Sequence, residues 1–440
     1  MTTRLLADYA IVPGDGPELM ANPAIDIDDS GRIIAARPES DIDASGAAAE
    51  PANVHRIGGL LMPGLVNAHA HGPMTLVRSA GDGLPLQQWL TDAVWPREGQ
   101  MTPDDVVVGQ TLASIEMLLA GVTTSIEMYL FEESVAEAIR RTGARGQVMA
   151  GIISAIAPDE AAFQGRLDAV AAFHGSHHDP DSGLSVGLGP HSVYDLGRER
   201  LAQVAERCAA LDATLHIHLE ETQAERDQVL AEHGVSATQL LADVGALDGR
   251  VVAAHGVWLD AADQALLGQA NATVVHCPQS NLKLGSGIAP IVDLLNAGVQ
   301  IALGTDGAAS NDDLDLWEEL RLAPLLARGT SHDPTALSTA RAFELATSAG
   351  ASAIGLDDVG ALRAGAWADI VRLDLDHPSF MPGLDADLIS HVVWAGGARH
   401  VTDVWVAGRQ VVADREITTV DRHQVQSEAR TIGARLAAAG

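Results

Sequence analysis

The chain changes texture twice along its length. In the first sixty residues short apolar segments, LLADYAIV, AIDIDD and GRIIAARP, are cut by Gly, Pro and Asp, a pattern that predicts small β-strands joined by turns. From Leu61 apolar β-type runs alternate with Ala- and Leu-rich helical stretches. The runs are LMPGLVNAHAH, VTTSIEM at 122, RGQVMAGII at 145, LSVGLGPH at 184, TLHIHLEE at 214, VVAAHGVWL at 251, TVVHCPQSN at 273 and QIALGTDG at 300. Helical patterns stand between them, among others at 104–120, 198–210, 261–270 and 314–327. Alternating βα units build a parallel sheet covered on both faces, and eight of them predict a (βα)8 TIM-like barrel over residues 62–365. After residue 366 the β texture returns in AWADIVRLDL, HVVWAGG and VTDVWVAGRQVV, and a helix over roughly 422–438 follows. Segments 1–61 and 366–440 are expected to pair into one small β-sandwich domain built from both chain ends.

Composition narrows the picture. With 47% hydrophobic and 20% charged residues in 440, a large core is available, and at 3% aromatics aliphatic side chains must fill it. The net charge of −32 argues against a broad nucleic-acid or anionic-membrane surface, both of which need clustered Lys and Arg. No run approaches the roughly 18 uninterrupted apolar residues of a membrane span. The N-terminus has no apolar stretch after a basic start, so no signal peptide is expected. Two cysteines, Cys208 and Cys277, make no disulfide framework, and a cytoplasmic location is expected.

The polar residues fall where barrel chemistry would place them. Successive strand runs end in His69-Ala70-His71, in His191, in His216, His218, Glu220 and Glu221, in His255, in His276 and in Asp306. The C-terminal ends of barrel strands face one mouth, so these residues would converge there. Residues i and i+2 of a strand point the same way, so His69 and His71 can share one ion. A further His and a carboxylate complete a site with room for water, as a catalytic zinc centre requires. Each residue also has a plainer reading. His276 can be a packed core residue and Asp306 a turn aspartate, while His216 is read as structural and facing away from His218. HGSHHDP at 174–180 reads as a solvated loop.

The ordered set of motifs resembles the amidohydrolase superfamily, and within it the 5-methylthioadenosine/S-adenosylhomocysteine deaminases. The matching stretches are PGLVNAHAHGPMTLVR, LQQWL, GVTTSIEMY, GLGPHSVY, IHLEET, HCPQSNLKLGSGIAP and LGTDGAASNDDLDLWEELRLA. The resemblance implies that His69, His71, His218 and Asp306 are metal ligands. It makes Glu221 the proton-shuttling carboxylate, with His255 and Asp306 beside it as catalytic groups. Glu98 would hold the ribose hydroxyls, His191 and Trp89 would contact substrate, and Glu220 would be a packed carboxylate. Arg145 would reach a substrate pocket, that of a neighbouring subunit, or else form a surface ion pair. Some members carry a second arginine where this chain has Ala150. The one lysine, Lys283, lies beyond the seventh strand, so a lysine-bridged binuclear centre is excluded and one divalent ion per chain, zinc before iron or manganese, is expected. The implied reaction is hydrolytic deamination of an adenine nucleoside (methylthioadenosine, S-adenosylhomocysteine, adenosine or 5′-deoxyadenosine) by a homo-oligomer. The alternative is attack on guanine, 8-oxoguanine, a pterin or an s-triazine. The partner is thus a small nucleoside, with no nucleic acid and no membrane.

Overall fold

The computed structural model describes residues 2–42, 51, 53–383 and 388–438. Its centre is a sheet of eight parallel strands: β1 (Leu65–Ala70), β2 (Val122–Tyr129), β3 (Arg145–Ile152), β4 (Leu184–Pro190), β5 (Leu215–Leu219), β6 (Val251–His255), β7 (Ala272–His276) and β8 (Gln300–Leu303). They stand in sequence order. The ends meet where Asp306, just past β8, bridges Ala70 and its N–H donates to the His69 carbonyl at 3.0 Å. The result is a TIM-like barrel. Its interior is packed with aliphatic side chains, including Val66, Ile126, Met149, Val252, Val275 and Ala302. Helices cover the outside, and their starts are capped as their sequences prescribe. Thr102 and Asp105 form a reciprocal capping box on Pro103–Leu119, and Asp260 with Asp263 does the same for Ala261–Gln269.

The first apolar run divides at Gly64. Leu60–Pro63 leaves the barrel and pairs antiparallel with Ile370–Leu373, whereas β1 begins at Leu65. A Cβ at Gly64 would lie 2.0 Å from Thr123 Oγ1, so only glycine lets the chain pass there. The pairing joins strands from both chain ends into one seven-stranded sheet. Its order is Glu416–Ile417, Arg409–Ala413, Val401–Val406, Ile370–Leu373, Leu60–Pro63, Tyr9–Pro13 and Pro17–Ala21. A four-stranded sheet (Ile33–Pro38, Pro23–Ile27, Thr3–Leu6, Asn53–Arg56) packs on it through Leu5, Ile25, Leu61, Ile370 and Trp405.

Two segments depart from the sequence pattern. HVVWAGG reads as strand but lies in the helix Leu388–Ala395, whose buried residues Leu388, Val392 and Val393 recur at helical spacing. A short run of β-branched residues carries either period, and here packing decides. HGSHHDP is not a loop at its start: His174 and His177 close the helix Glu160–His177, and His177 Nε2 lies 2.9 Å from Glu133.

Candidate active site and metal centre

Three imidazoles and one carboxylate meet at the C-terminal mouth of the barrel. His69 comes from β1, whose pairing with β2 slips between Asn67 and Ala70, and His71 follows directly on the strand. His71 Nε2 lies 3.2 Å from Asp306 Oδ1 and 3.3 Å from His218 Nε2, and His69 Nε2 lies 3.5 Å from Asp306 Oδ1. Close approach of the last strand is required: a Cβ on Gly304 would sit 2.8 Å from the His69 Cβ.

The outer hydrogen bonds decide which atoms face the centre. His71 Nδ1 donates to the Met128 carbonyl at 2.5 Å and His218 Nδ1 to the His191 carbonyl at 2.8 Å. His69 Nδ1 faces His216 Nε2 at 2.9 Å, and His69 Nε2 is buried with no hydrogen-bond partner among the described residues. All three rings therefore present Nε2 inward, the tautomer a metal ligand needs. Ser280 Oγ (2.6 Å) and Ser310 Oγ (2.9 Å) both donate to Asp306 Oδ2, which leaves Oδ1 for the centre. His69, His71 and Asp306 form one compact set of potential ligands, and His69, His218 and His255 another. Three neutral imidazoles and one carboxylate suit a single divalent cation with an open position. Burial works against charge on Asp306, but His69 and His71 hold its carboxylate well below the usual range.

Beside this point stand Glu221 and His255. Glu221 Oε1 accepts a hydrogen bond from Ser286 Oγ at 3.1 Å, and Oε2 lies 3.7 Å from His255 Nε2. Burial raises the Glu221 pKa, with the Asp306 charge adding to it and His255 opposing. Burial disfavours charge on His255, yet the Glu221 and Asp306 carboxylates outweigh it and lift its pKa. His255 Nδ1 faces Asn281 Oδ1 at 2.9 Å, a contact that makes Nδ1 the donor and turns Nε2 to the mouth. Three strand ends at the site adopt left-handed backbone at non-glycine residues: Glu220 (φ 46°), His255 (φ 73°) and Asp306 (φ 63°). Such conformations cost about 1–3 kcal/mol each and persist where neighbours over-determine them.

The mouth opens into a cavity of about 480 Å³, within the range of small-molecule sites. His71, His218, Glu221, His255 and Asp306 form its floor, and Trp89, Glu98 and His191 line it as well. Trp89 is fixed by an Nε1–H bond to the Ala80 carbonyl, and Tyr129 Oη donates to Glu98 Oε1 at 2.5 Å. Arg145 is elsewhere. It begins β3 at the opposite end of the barrel, 1% exposed, paired with Asp369 at 2.8 Å. It is thus neither a pocket residue nor a surface ion pair, because burial among the β-domain strands leaves it no route to solvent or to the mouth. Ala150 is fully buried, and no Arg or Lys is among the described residues that line the cavity. His216 also departs from its sequence reading. It faces the same way as His218, as i and i+2 must, and sits beneath the centre against His69. His276 is packed and 1% exposed with no hydrogen bond to either ring nitrogen from the described residues, and burial drives its pKa down to about 3.

Sequence reasoning missed Tyr129, Glu127 and Glu225. Glu127 accepts from the Gly72 N–H at 2.8 Å and so anchors the turn after His71. Glu225, three residues into its helix, reaches back to the N–H groups of Glu220 (3.2 Å) and Glu221 (2.9 Å). Tyr129 ends β2, and the strand-end rule would have found it. Glu225 stands at the capping-box spacing from Thr222, whose hydroxyl accepts its N–H, but nothing in that spacing sends its carboxylate to Glu220 and Glu221.

Glu225 and Glu220 make stability depend on pH. Burial and the Glu221 charge push Glu225 up to about 8, and burial with Asp263 pushes Glu220 to about 7, both from an ordinary value of 4.5. The native state therefore keeps protons that the unfolded chain has released. Stability is greatest below the ordinary value and falls as pH rises through the native ones. Buried His276, whose pKa is held down to about 3, works in the opposite sense over the same range, so the Glu225 share is read by difference: between pH 5 and pH 8 the urea midpoint of the metal-free wild type should fall relative to that of metal-free Glu225→Gln. A pH dependence identical in the two proteins would contradict the burial argument.

Comparison with known proteins agrees with this geometry. The Amidohydrolase family model matches residues 60–411. The chain is 37% identical over 425 residues to the 5-methylthioadenosine/S-adenosylhomocysteine deaminase of Moorella thermoacetica, covering 96% of this chain and 97% of that one. It also resembles the adenosine deaminase of Xanthomonas campestris, solved with bound zinc, at 34% identity and TM-score 0.92 over 99% of this chain and 98% of the other. The atrazine chlorohydrolase of Arthrobacter aurescens shares the fold at 23% identity, with TM-score 0.86 over 98% of this chain and 100% of that one. A divalent metal ion is consistent with both the donor set and these relatives. Donor set, barrel and relatives agree: the chain belongs to the amidohydrolase family, among its 5-methylthioadenosine/S-adenosylhomocysteine deaminases.

Proposed function

We propose that the protein is a zinc-dependent hydrolytic deaminase that converts an adenine nucleoside to its inosine counterpart and ammonia. The observation that carries this reading is the convergence of three inward Nε2 atoms and Asp306 Oδ1 beside Glu221, on the floor of a cavity whose wall holds the half-buried carboxylate Glu98. His69, His71, His218 and Asp306 would hold the ion. When bound, it supplies Lewis-acid chemistry that brings the ionisation of water close to neutral pH.

The side chains supply the rest. Asp306, kept ionised, and His255, with Nε2 free, stand where the attacking water must lose its proton. Glu221, its pKa raised by burial, delivers a proton to N1 of the adenine ring and quenches the charge that develops as C6 is attacked. Protonation of the amino group then releases ammonia. Glu98 accepts from the ribose through Oε2, and a bare base would leave that oxygen without a donor, which favours nucleosides over guanine or a triazine. The lining carries Glu98, Glu221, Glu225 and Asp306 and, among the described residues, no Arg or Lys to hold a carboxylate, so methylthioadenosine, adenosine and 5′-deoxyadenosine should outrank S-adenosylhomocysteine with its amino-acid tail. With two free cysteines, and no helix among the described residues long and apolar enough to cross a membrane, we place this reaction in the cytoplasm.

The test is ammonia release, on metal-analysed protein, from these four nucleosides together with guanine and an aminotriazine. Turnover of the nucleosides at about one metal per chain, lost on chelation and restored by zinc, is the expected result. Silence on every nucleoside from metal-loaded protein would sink the substrate class.

A further inference from the structure

Tyr129 closes β2 with its ring in the cavity wall and its hydroxyl on Glu98. That 2.5 Å bond occupies Glu98 Oε1, while Oε2 takes no hydrogen bond from the described residues. A phenol has one proton to give. Once it is given to Glu98, the phenol oxygen keeps lone pairs and can only accept. The hydroxyl also lies 3.5 Å from Met101 Sδ, and Glu98 and Tyr129 both line the cavity, so a carboxylate oxygen and a phenol oxygen polarised by it stand as neighbouring acceptors in its wall. Hydrogen bonds assisted by charge in this way are short and strong. Burial and the Glu98 charge both hold the Tyr129 pKa well above its ordinary value, so the phenol keeps its proton at any working pH.

We propose that Glu98 and Tyr129 form a two-armed diol clamp, in which Glu98 Oε2 accepts one ribose hydroxyl and Tyr129 Oη accepts the other. The proposal rests on the adenine-nucleoside reading of this site. It makes Tyr129 a specificity-determining residue that selects ribonucleosides over their deoxy counterparts. The competing role is a passive one, in which Tyr129 merely props Glu98 and both hydroxyls belong to the carboxylate.

The two are separated by kcat/KM for adenosine, 2′-deoxyadenosine and 3′-deoxyadenosine on wild type, Tyr129→Phe and Glu98→Gln. Tyr129→Phe removes one oxygen and keeps the ring, and a thermal melt with metal analysis verifies the folded site. Wild type should lose about tenfold to hundredfold on removal of either hydroxyl. Tyr129→Phe should cost about tenfold on adenosine, yet almost nothing on the one deoxynucleoside that lacks the hydroxyl it serves. Glu98→Gln should shrink discrimination at the other hydroxyl, because a neutral amide bonds it more weakly than a carboxylate does. The proposal is overturned if both variants shrink discrimination at the same hydroxyl, or if the Tyr129→Phe loss multiplies with both deoxy losses. A measurement on wild type alone gives a further check. On 2′,3′-dideoxyadenosine the two losses should multiply, and a loss no larger than for one hydroxyl overturns the clamp. Turnover of adenosine with indifference to both hydroxyls would remove the ribose role of Glu98, and the clamp with it, while sparing the deaminase reading. No turnover of any nucleoside would remove that reading itself.

Discussion

Glu221→Gln should lower turnover of an adenine nucleoside by about 10²–10⁴-fold while metal content stays at the wild-type level. Glutamine has nearly the same shape, and its amide oxygen can still accept from Ser286 Oγ where Glu221 Oε1 does at 3.1 Å. What it lacks is a transferable proton. In the native protein burial raises the Glu221 pKa, so a protonated fraction exists nearer neutral pH than an exposed glutamate would allow. Neither compact group of potential metal ligands includes Glu221, so its replacement should leave the ion in place. Metal analysis beside steady-state kinetics checks the claim. Parallel loss of metal and activity would make Glu221 a ligand, and full activity would move the proton transfer to another group.

Arg145→Ala should destabilise the fold by about 3–5 kcal/mol and leave kcat of the folded, metal-loaded fraction unchanged. Arg145 and Asp369 are each 1% exposed at the side chain, and the guanidinium meets the carboxylate through Nε at 2.8 Å and Nη2 at 3.3 Å. Asp369 also accepts the Ala407 N–H at 2.7 Å, and its carbonyl accepts the Gly64 N–H at 2.9 Å. Beside the pair, Arg32 and Arg145 lie 4.0 and 5.0 Å from the centre of the Trp367 ring. Asp369 thus ties the base of the barrel to the C-terminal strands through its carboxylate and to the chain just before β1 through its carbonyl. Removing the arginine strands a buried charge with only backbone donors around it. Denaturation with kinetics on the surviving fraction checks this, and a kcat loss with normal stability would return Arg145 to the active site.

The sequence carried the barrel because each parallel strand is buried on both faces and reads as an unbroken apolar run. Each of the eight runs overlaps a barrel strand, and the candidate metal-binding histidines and Asp306 stand near or just beyond strand ends, toward the mouth. Errors arose where one pattern serves two geometries. HVVWAGG is apolar and β-branched, and only packing shows it to be helical. His216 was misjudged by applying the strand period in the wrong sense. Arg145 was misplaced for a different reason: it opens a strand rather than closing one, so it lies at the far end of the barrel, and its partner Asp369 is remote in sequence. Glu225 could not be found, because its role depends on a backbone turn at Glu220 that spacing does not encode.

The sheet that joins both chain ends bears on how the protein is made. Leu60–Pro63 is fully buried and pairs with Ile370–Leu373, with Pro63 opposite Ile370. At about 5–20 residues per second of synthesis, the partner strand emerges roughly 15–60 s after the first one. Throughout that interval the barrel is being laid down while an apolar strand edge at its base waits for its neighbour, an invitation to pairing between nascent chains. A chain ended before Ile370 would keep every candidate metal ligand and still expose that edge for good. Its failure would be aggregation on the way to the native state, not a defect of catalysis, and chaperone demand during translation should concentrate on this one late-closing seam.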